Sequence, residues 1–185
     1  MKSSTGRKAL PPRRFTEQER AAGKAELPIC QAMKGGVSSA PEYGGKTVRN
    51  HELGGEIMTD RVQTVQRLYS AFAQGDASSL AEMLSDTHWV EAEGMPYGGT
   101  YRGFGEVAAN VFGPITNDVQ GFSASPDEII PAGEDRVLAL GTYRGAGAAG
   151  EVATPFAHLW TVRDGRISNF VQYVDTHLFR QAIGA

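Results

Sequence analysis

The sequence predicts an α+β fold, a bent antiparallel sheet packed against N-terminal helices. Three observations predict it. Residues 156–176 hold two arms rich in β-branched and aromatic residues on either side of Asp164-Gly165, a dipeptide that tolerates the positive φ of a tight primed turn, so they read as a long β-hairpin. Residues 62–72 carry an apolar stripe at helical spacing. The order α-α-β-α followed by a run of strands places the helices on one side of a bent sheet.

Each element has a local reason. Asp60 can cap the first helix with Gln63 three residues on, and Val62, Val65, Leu68, Tyr69 and Phe72 form a stripe that stops at Gly75. A second short helix has Asp76 or Ser78 as its cap and Leu80, Met83 and Leu84 as its buried side. Residues 88–92 alternate as a strand, the Gly-rich loop 94–99 turns the chain, and 106–112 make a third helix that Gly113-Pro114 ends. Strands follow at 121–125 joined to 128–130, at 136–143 and at 152–162. The run 136–143 is apolar at nearly every position and reads as a central strand covered on both faces. After the hairpin, Asp175 and Thr176 can cap a last helix with Leu178, Phe179 and Ile183 as its stripe.

The composition bounds the class of protein. With 185 residues, 41% hydrophobic and 21% charged, the chain matches a soluble globular protein of one domain, and no apolar run approaches the roughly 20 residues of a membrane helix. The basic start lacks the apolar segment of a secretory signal, so a cytoplasmic location is expected. Cys30 is the sole cysteine and supports neither an internal disulfide nor a cysteine metal site. Residues 1–57 carry ten Lys and Arg against six Asp and Glu, whereas 58–185 carry eight against fifteen and contain no lysine. The first segment is rich in Gly, Pro, Lys, Glu and Ser and lacks period, which predicts a disordered extension. Its basic stretch from Arg7 to Arg20 reads as a solvated tail rather than a nucleic-acid contact, because Glu17 and Glu19 interrupt it and aromatic residues are sparse. Gly54-Gly55-Glu56 requires purine-rich codons shortly before Met58, where a bacterial ribosome-binding sequence would lie, so residues 1–57 are alternatively a mis-annotated extension and 58–185 the domain.

The segments LYSAFAQGD (68–76), WVEAEGMPYGGTYRG (89–103) and the hairpin 156–176 together resemble the nuclear transport factor two-like superfamily, a cystatin-like roll, and in particular its SnoaL-like branch, which includes relatives of ketosteroid isomerases. The resemblance implies a cone that holds a small hydrophobic molecule and forms a homodimer through its sheet. It does not name a reaction, since this scaffold carries isomerases, cyclases, hydrolases, dehydratases and binders without catalysis. Ketosteroid isomerases use a carboxylate base with a tyrosine and a protonated aspartate as oxyanion donors. Alignment through the hairpin places that aspartate at Ala157, the tyrosine at Leu68 with Tyr69 one place off, and the base at Ala92 between Glu91 and Glu93, so all three positions read as vacant and steroid isomerase chemistry by that mechanism is disfavoured. Epoxide hydrolases of the limonene type carry an Arg-x-Asp pair that this sequence lacks, and Gln172 stands near their base.

A polyketide cyclase of the SnoaL type needs an acid/base near an enolisable carbonyl in an apolar cavity. Glu91 is the first candidate, since partial desolvation beside Trp89 near a cavity mouth would raise its pKa, or else it is an exposed strand-end carboxylate, and Glu93 beside the Gly-rich loop reads as exposed. His158 shares a hairpin face with Phe156 and Trp160 and is a second candidate, or else a packed histidine with one nitrogen bonded. Asp175 is a third, or else a helix cap. Trp89, Tyr69, Tyr97, Tyr101, Phe170 and Gln172 are candidates for substrate contact, with Tyr97 and Tyr101 able to close over a ligand and Gln172 orienting it. The scattered His88, His158 and His177 suggest no metal site, and no phosphate loop or other cofactor motif occurs. Nucleic-acid binding by the acidic domain is electrostatically opposed. Two function classes remain: a SnoaL-like enzyme for proton transfer, cyclisation or hydration of an apolar carbonyl compound, and a non-catalytic ligand-binding or dimerisation domain.

Overall fold

Helix α1 spans Gly54–Gln74 and buries Val65, Leu68, Tyr69 and Phe72, the stripe read from the sequence. The computed structural model describes residues 54–185, with side chains from Asp60 onward, so expectations for the Arg7–Arg20 stretch and Cys30 lie outside the described residues. Asp60 does not cap α1, because the helix already runs from Gly54; its carbonyl instead accepts the Thr64 hydroxyl at 3.0 Å. Met58, the expected domain start, likewise falls within α1. Gly75 ends the helix in the left-handed region, at φ 66°. Helix α2 (Ala77–Met83) is capped by Asp76, which accepts the Ser79 N–H at 3.1 Å, and buries Leu80.

Strands β1 (His88–Glu91) and β2 (Gly99–Arg102) pair antiparallel; β2, four residues with no fully buried position, gives no signal in the sequence. The next helical segment runs on past the expected stop: α3 (Gly103–Val107), a π-turn (Ala108–Phe112) and α4 (Gly113–Asp118) are continuous. Pro114 does not break the segment because it stands in the first turn of α4, directly after the π-turn, where its missing N–H costs no α-helical bond. Strands β3 (Gln120–Pro131), β4 (Arg136–Ala146), β5 (Glu151–Arg163) and β6 (Arg166–Val174) then form an antiparallel meander. The sheet order is β2-β1-β6-β5-β4-β3, with β1 joining β6 in parallel. Asp164 and Gly165 both take positive φ, 50° and 70°, as the primed turn between β5 and β6 requires.

Strand β4 is not a central strand covered on both faces. It lies next to the edge strand β3, and its Val137, Ala139, Gly141 and Tyr143 face the core while Leu138, Leu140 and Thr142 are only half-buried. The apolar run therefore has two uses, an inner face on the core and an outer apolar face.

Helix α5 (Thr176–Ile183) closes the chain and buries Phe179. Leu178, expected in its apolar stripe, is 44% exposed, since it stands about 100° around the helix from Phe179. Asp175 caps α5 by accepting the Leu178 N–H at 3.0 Å and is exposed, so it is not a pocket acid. Asp175→Ala is expected to cost about 1 kcal/mol in urea unfolding without changing ligand binding.

Register sets the inner surface. Val137, Trp160, Phe170 and Trp89 face one another across four neighbouring strands, and Ala139, His158 and Gln172 form the next inner row. Trp89 and Phe170 pack with ring centroids 3.8 Å apart, and Trp160 lies 4.4 Å from Phe170. The helices cover this surface: Phe72 of α1 and Phe112 of the π-turn meet edge-to-face at 5.4 Å, and Phe112 meets Trp89 at 5.5 Å. Such aromatic pairs each add about 1 kcal/mol beyond the area they bury.

Candidate active site

Between the inner sheet face and the helices lies a narrow, mostly apolar cavity of about 40 Å³. Phe72, Val111, Phe112, Ile115, Phe122 and Ala124 supply apolar wall, and Tyr69, Trp89, Glu91, Tyr143, His158, Trp160 and Gln172 supply every polar group. A Cβ on Gly141 would lie 2.2 Å from the Ser125 carbonyl oxygen and 2.7 Å from the Phe156 ring, so only glycine allows β3, β4 and β5 to approach there.

Glu91 is the charged centre of the site. It ends β1 with its side chain on the inner face, 1% exposed. Trp89 Nε1–H donates to Oε2 at 2.8 Å, and Gln172 Nε2–H donates to Oε1 at 2.6 Å. Trp89 and Glu91 are two residues apart on one strand, so the pleat puts both on the same face. Burial raises the Glu91 carboxyl to about 7, against the opposing pull of the Trp89 and Gln172 hydrogen bonds. A carboxyl with that pKa can both take and return a proton at neutral pH.

A second polar chain runs from Gln172. Its Nε2 also donates to the Tyr143 hydroxyl at 2.8 Å, and its Oε1 accepts the Ala92 backbone N–H at 3.1 Å. Tyr143 hydrogen-bonds His158 Nε2, and His158 Nδ1 meets the Tyr69 hydroxyl at 2.7 Å. Trp160 Nε1–H donates to Tyr69 at 3.2 Å. Among the described residues, no buried side-chain polar atom lacks a partner. Burial lowers His158 to about 3, and it raises Tyr69 and Tyr143 far above the usual phenol value, so all three are neutral near pH 7. His158 is therefore a neutral bridge with both nitrogens bonded, not the singly bonded packed histidine of the sequence reading.

The structure thus brings Glu91, His158, Trp89, Tyr69 and Gln172 into one pocket, with Phe170 beneath Trp89. It does not bring Asp175, Tyr97 or Tyr101 there. The Tyr97 hydroxyl donates to Asp118 at 2.8 Å and the Tyr101 hydroxyl to the Tyr97 carbonyl at 2.8 Å, so both are pinned beside the loop rather than poised over a ligand. The three positions read as vacant are also the wrong ones by one residue. Tyr69, Glu91 and His158 line the cavity where the alignment placed Leu68, Ala92 and Ala157. A step of one turns a helical side chain by about 100° and a strand side chain to the opposite face, so Tyr69 and Glu91 bring a phenol and a carboxyl to the cavity, whereas His158 brings an imidazole and not the aspartate of the isomerases.

Tyr143 and Trp160 complete the site but were not among the candidates. The signal for Tyr143 lay in β4, where the alternation of Val137, Ala139, Gly141 and Tyr143 puts the tyrosine on the inner face. No group of three or more His, Cys, Asp or Glu that could hold a metal ion occurs among the described residues, and no helix among them is long and apolar enough to cross a membrane.

Comparison with known proteins agrees with this architecture. The family model for the SnoaL-like domain matches residues 65–170. An NTF2-like protein of unknown function from Burkholderia pseudomallei K96243 is 32% identical, with TM-score 0.62 over 69% of this chain and 100% of that one. An NTF2-like protein from Burkholderia thailandensis E264 is 30% identical, with TM-score 0.62 over 66% of this chain and 96% of that one. TerC, crystallised with polyporic acid, is 27% identical, with TM-score 0.61 over 68% of this chain and 99% of that one. No curated protein sequence matches the chain.

Proposed function

The chain belongs to the SnoaL-like domain family, and from that premise we propose that it is a small-molecule enzyme in which Glu91 moves a proton at carbon beside the carbonyl of an apolar substrate. The product class is that of an isomerisation, cyclisation or hydration. One observation carries the reading: a carboxyl 1% exposed, held by two N–H donors in an aromatic cavity, with its pKa raised to about 7. A carboxyl buried only for packing would also be hydrogen-bonded, but it would lack the cavity that Glu91 lines. Trp89 and Gln172 position Glu91, while Tyr69 and the wall formed by Phe72 and Phe112 hold the ligand. TerC was crystallised with polyporic acid, and the aromatic rings that line this pocket favour an apolar ligand.

The test uses 2-tetralone, an enolisable aromatic ketone, in deuterated buffer. The wild type is expected to exchange its α-hydrogens, and Glu91→Gln to lower that rate by about 10²–10⁴, the usual contribution of a general base. Exchange at the wild-type rate by Glu91→Gln would overturn the assignment.

We further propose a homodimer through the outer sheet face. Ile130, Leu138, Leu159, Val171 and Val90 form one apolar row across five strands, and Leu140, Ala157 and Tyr173 form the next, with Tyr173 56% exposed. Large contiguous apolar patches of this kind mark interaction surfaces. Light scattering should give twice the chain mass for the wild type and the single-chain mass for Tyr173→Glu.

A further inference from the structure

The three side chains at the heart of the pocket hold one hydrogen more than their mutual bonds can use. Trp160 Nε1–H can only donate, so the Tyr69 oxygen accepts from it at 3.2 Å. The Gln172 amide is fixed by the Ala92 N–H on its oxygen, so its NH₂ faces Glu91 and Tyr143, and the Tyr143 oxygen accepts at 2.8 Å. Between these two ends stand Tyr69, His158 and Tyr143, joined by two hydrogen bonds. His158 is 4% exposed and meets only phenols at its two nitrogens, with no carboxylate to support a charge, so it carries one ring hydrogen. Two phenolic hydrogens and one imidazole hydrogen therefore serve two bonds. One phenol O–H is always left over.

The His158 tautomer decides which one. With the hydrogen on Nε2, Tyr69 donates to Nδ1, the Tyr143 oxygen accepts from both His158 and Gln172, and the Tyr143 O–H is free to turn into the cavity. With the hydrogen on Nδ1, the roles reverse and the Tyr69 O–H is free. Tyr143 and Glu91 share one amide nitrogen, Gln172 Nε2, so a carbonyl whose α-carbon sits over Glu91 lies nearer the Tyr143 hydroxyl.

We propose that Tyr143 is the oxyanion donor of this site, its O–H released to the ligand by the Nε2–H tautomer of His158. This rests on the reading of Glu91 as the base. The ionised Glu91 takes the α-hydrogen as a proton, the C–H electron pair forms the enolate double bond, and the carbonyl π pair moves to oxygen. That oxygen accepts the Tyr143 O–H, which keeps its proton, and Glu91 returns its own proton to carbon. A hydrocarbon without the oxygen would leave the spare O–H unpaired, which costs affinity and sets specificity.

The test is long-range ¹H–¹⁵N spectroscopy of the histidine-labelled protein, with His158 assigned by removing the other three histidines. Bound 2-tetralone is expected to place His158 fully in the Nε2–H form at pH 7, while tetralin, which lacks the oxygen, leaves the free-protein ratio unchanged. Glu91→Gln should show the same response although it no longer exchanges the ketone, which separates this proposal from the assignment of the base. Tyr143→Phe should lower exchange about 10–100-fold with KM little changed, less than the full loss of an oxyanion donor because the His158 N–H can stand in. An Nδ1–H or doubly protonated His158 in the tetralone complex, no tetralone binding at millimolar concentration, or wild-type exchange by Tyr143→Phe would each overturn it.

Discussion

Relative to the wild type, the Glu91→Gln variant is expected to gain about 3 kcal/mol of stability as pH rises from 5 to 8. The folded protein raises this carboxyl from 4.5 to about 7, chiefly by burial. In the unfolded chain Glu91 releases its proton near pH 4.5, whereas the folded chain keeps it until about 7. Across that window the unfolded state binds fewer protons, so wild-type stability falls with rising pH and levels off above it. Glutamine does not titrate and removes the fall. At pH 5 the variant should be the less stable protein, because its NH₂ must face either the Trp89 or the Gln172 N–H and leaves a buried donor unpaired, at about 1–3 kcal/mol. By pH 8 the difference should vanish or reverse, a relative shift of roughly 10 °C in Tm for a chain of this size. Parallel urea curves at four pH values measure it. A constant difference between the two proteins would mean that Glu91 is ionised in the fold well below pH 7.

The opposite slope is expected from His158. Burial lowers it from 6.5 to about 3, so the unfolded chain takes up a proton near pH 6.5 that the folded chain refuses until about 3. The stability this group contributes is complete above pH 6.5 and is lost as pH falls toward 3, by about 5 kcal/mol. Between pH 4.5 and 6.5 the two groups oppose each other and nearly cancel, leaving an acid limb below that range which belongs to His158. His158→Phe fills the space between Phe156, stacked at 3.9 Å, and the tyrosines. It deprives both phenols of one partner while Trp160 still serves Tyr69 and Gln172 still serves Tyr143. The variant is expected to start less stable at pH 7 by about 1–3 kcal/mol and then to regain about 5 kcal/mol on the wild type by pH 3. Equal acid limbs for the two proteins would show that His158 is charged in the folded state.

How far the sequence carried depended on the range of the interactions. The hairpin was legible because its determinants are local: Asp164-Gly165 takes the turn dihedrals, and the alternation of Phe156, His158 and Trp160 sets the inner face. Helix α1 announced itself by its stripe but not by its start, since Gly54 precedes the Asp60 that looks like a cap. Glu91 could be named as an acid/base because Trp89 two residues away implied a buried face. Its real partner, Gln172, lies 81 residues along the chain, and the bond is made only once β1 has joined β6. The tyrosine bridge was hidden for the same reason, with Tyr69 89 residues from His158. Tyr69, Glu91 and His158 each stand one residue from the position that alignment to known enzymes assigned, and on a pleated strand that step reverses the face.

The measurement closest to the central claim is the Glu91 titration itself, followed by the ¹³Cδ shift of glutamate-labelled protein with Glu91→Gln as the assignment control. One carboxyl is expected to change ionisation near pH 7 and to be missing from the variant. A Glu91 signal that titrates near its ordinary value of 4.5 would contradict it.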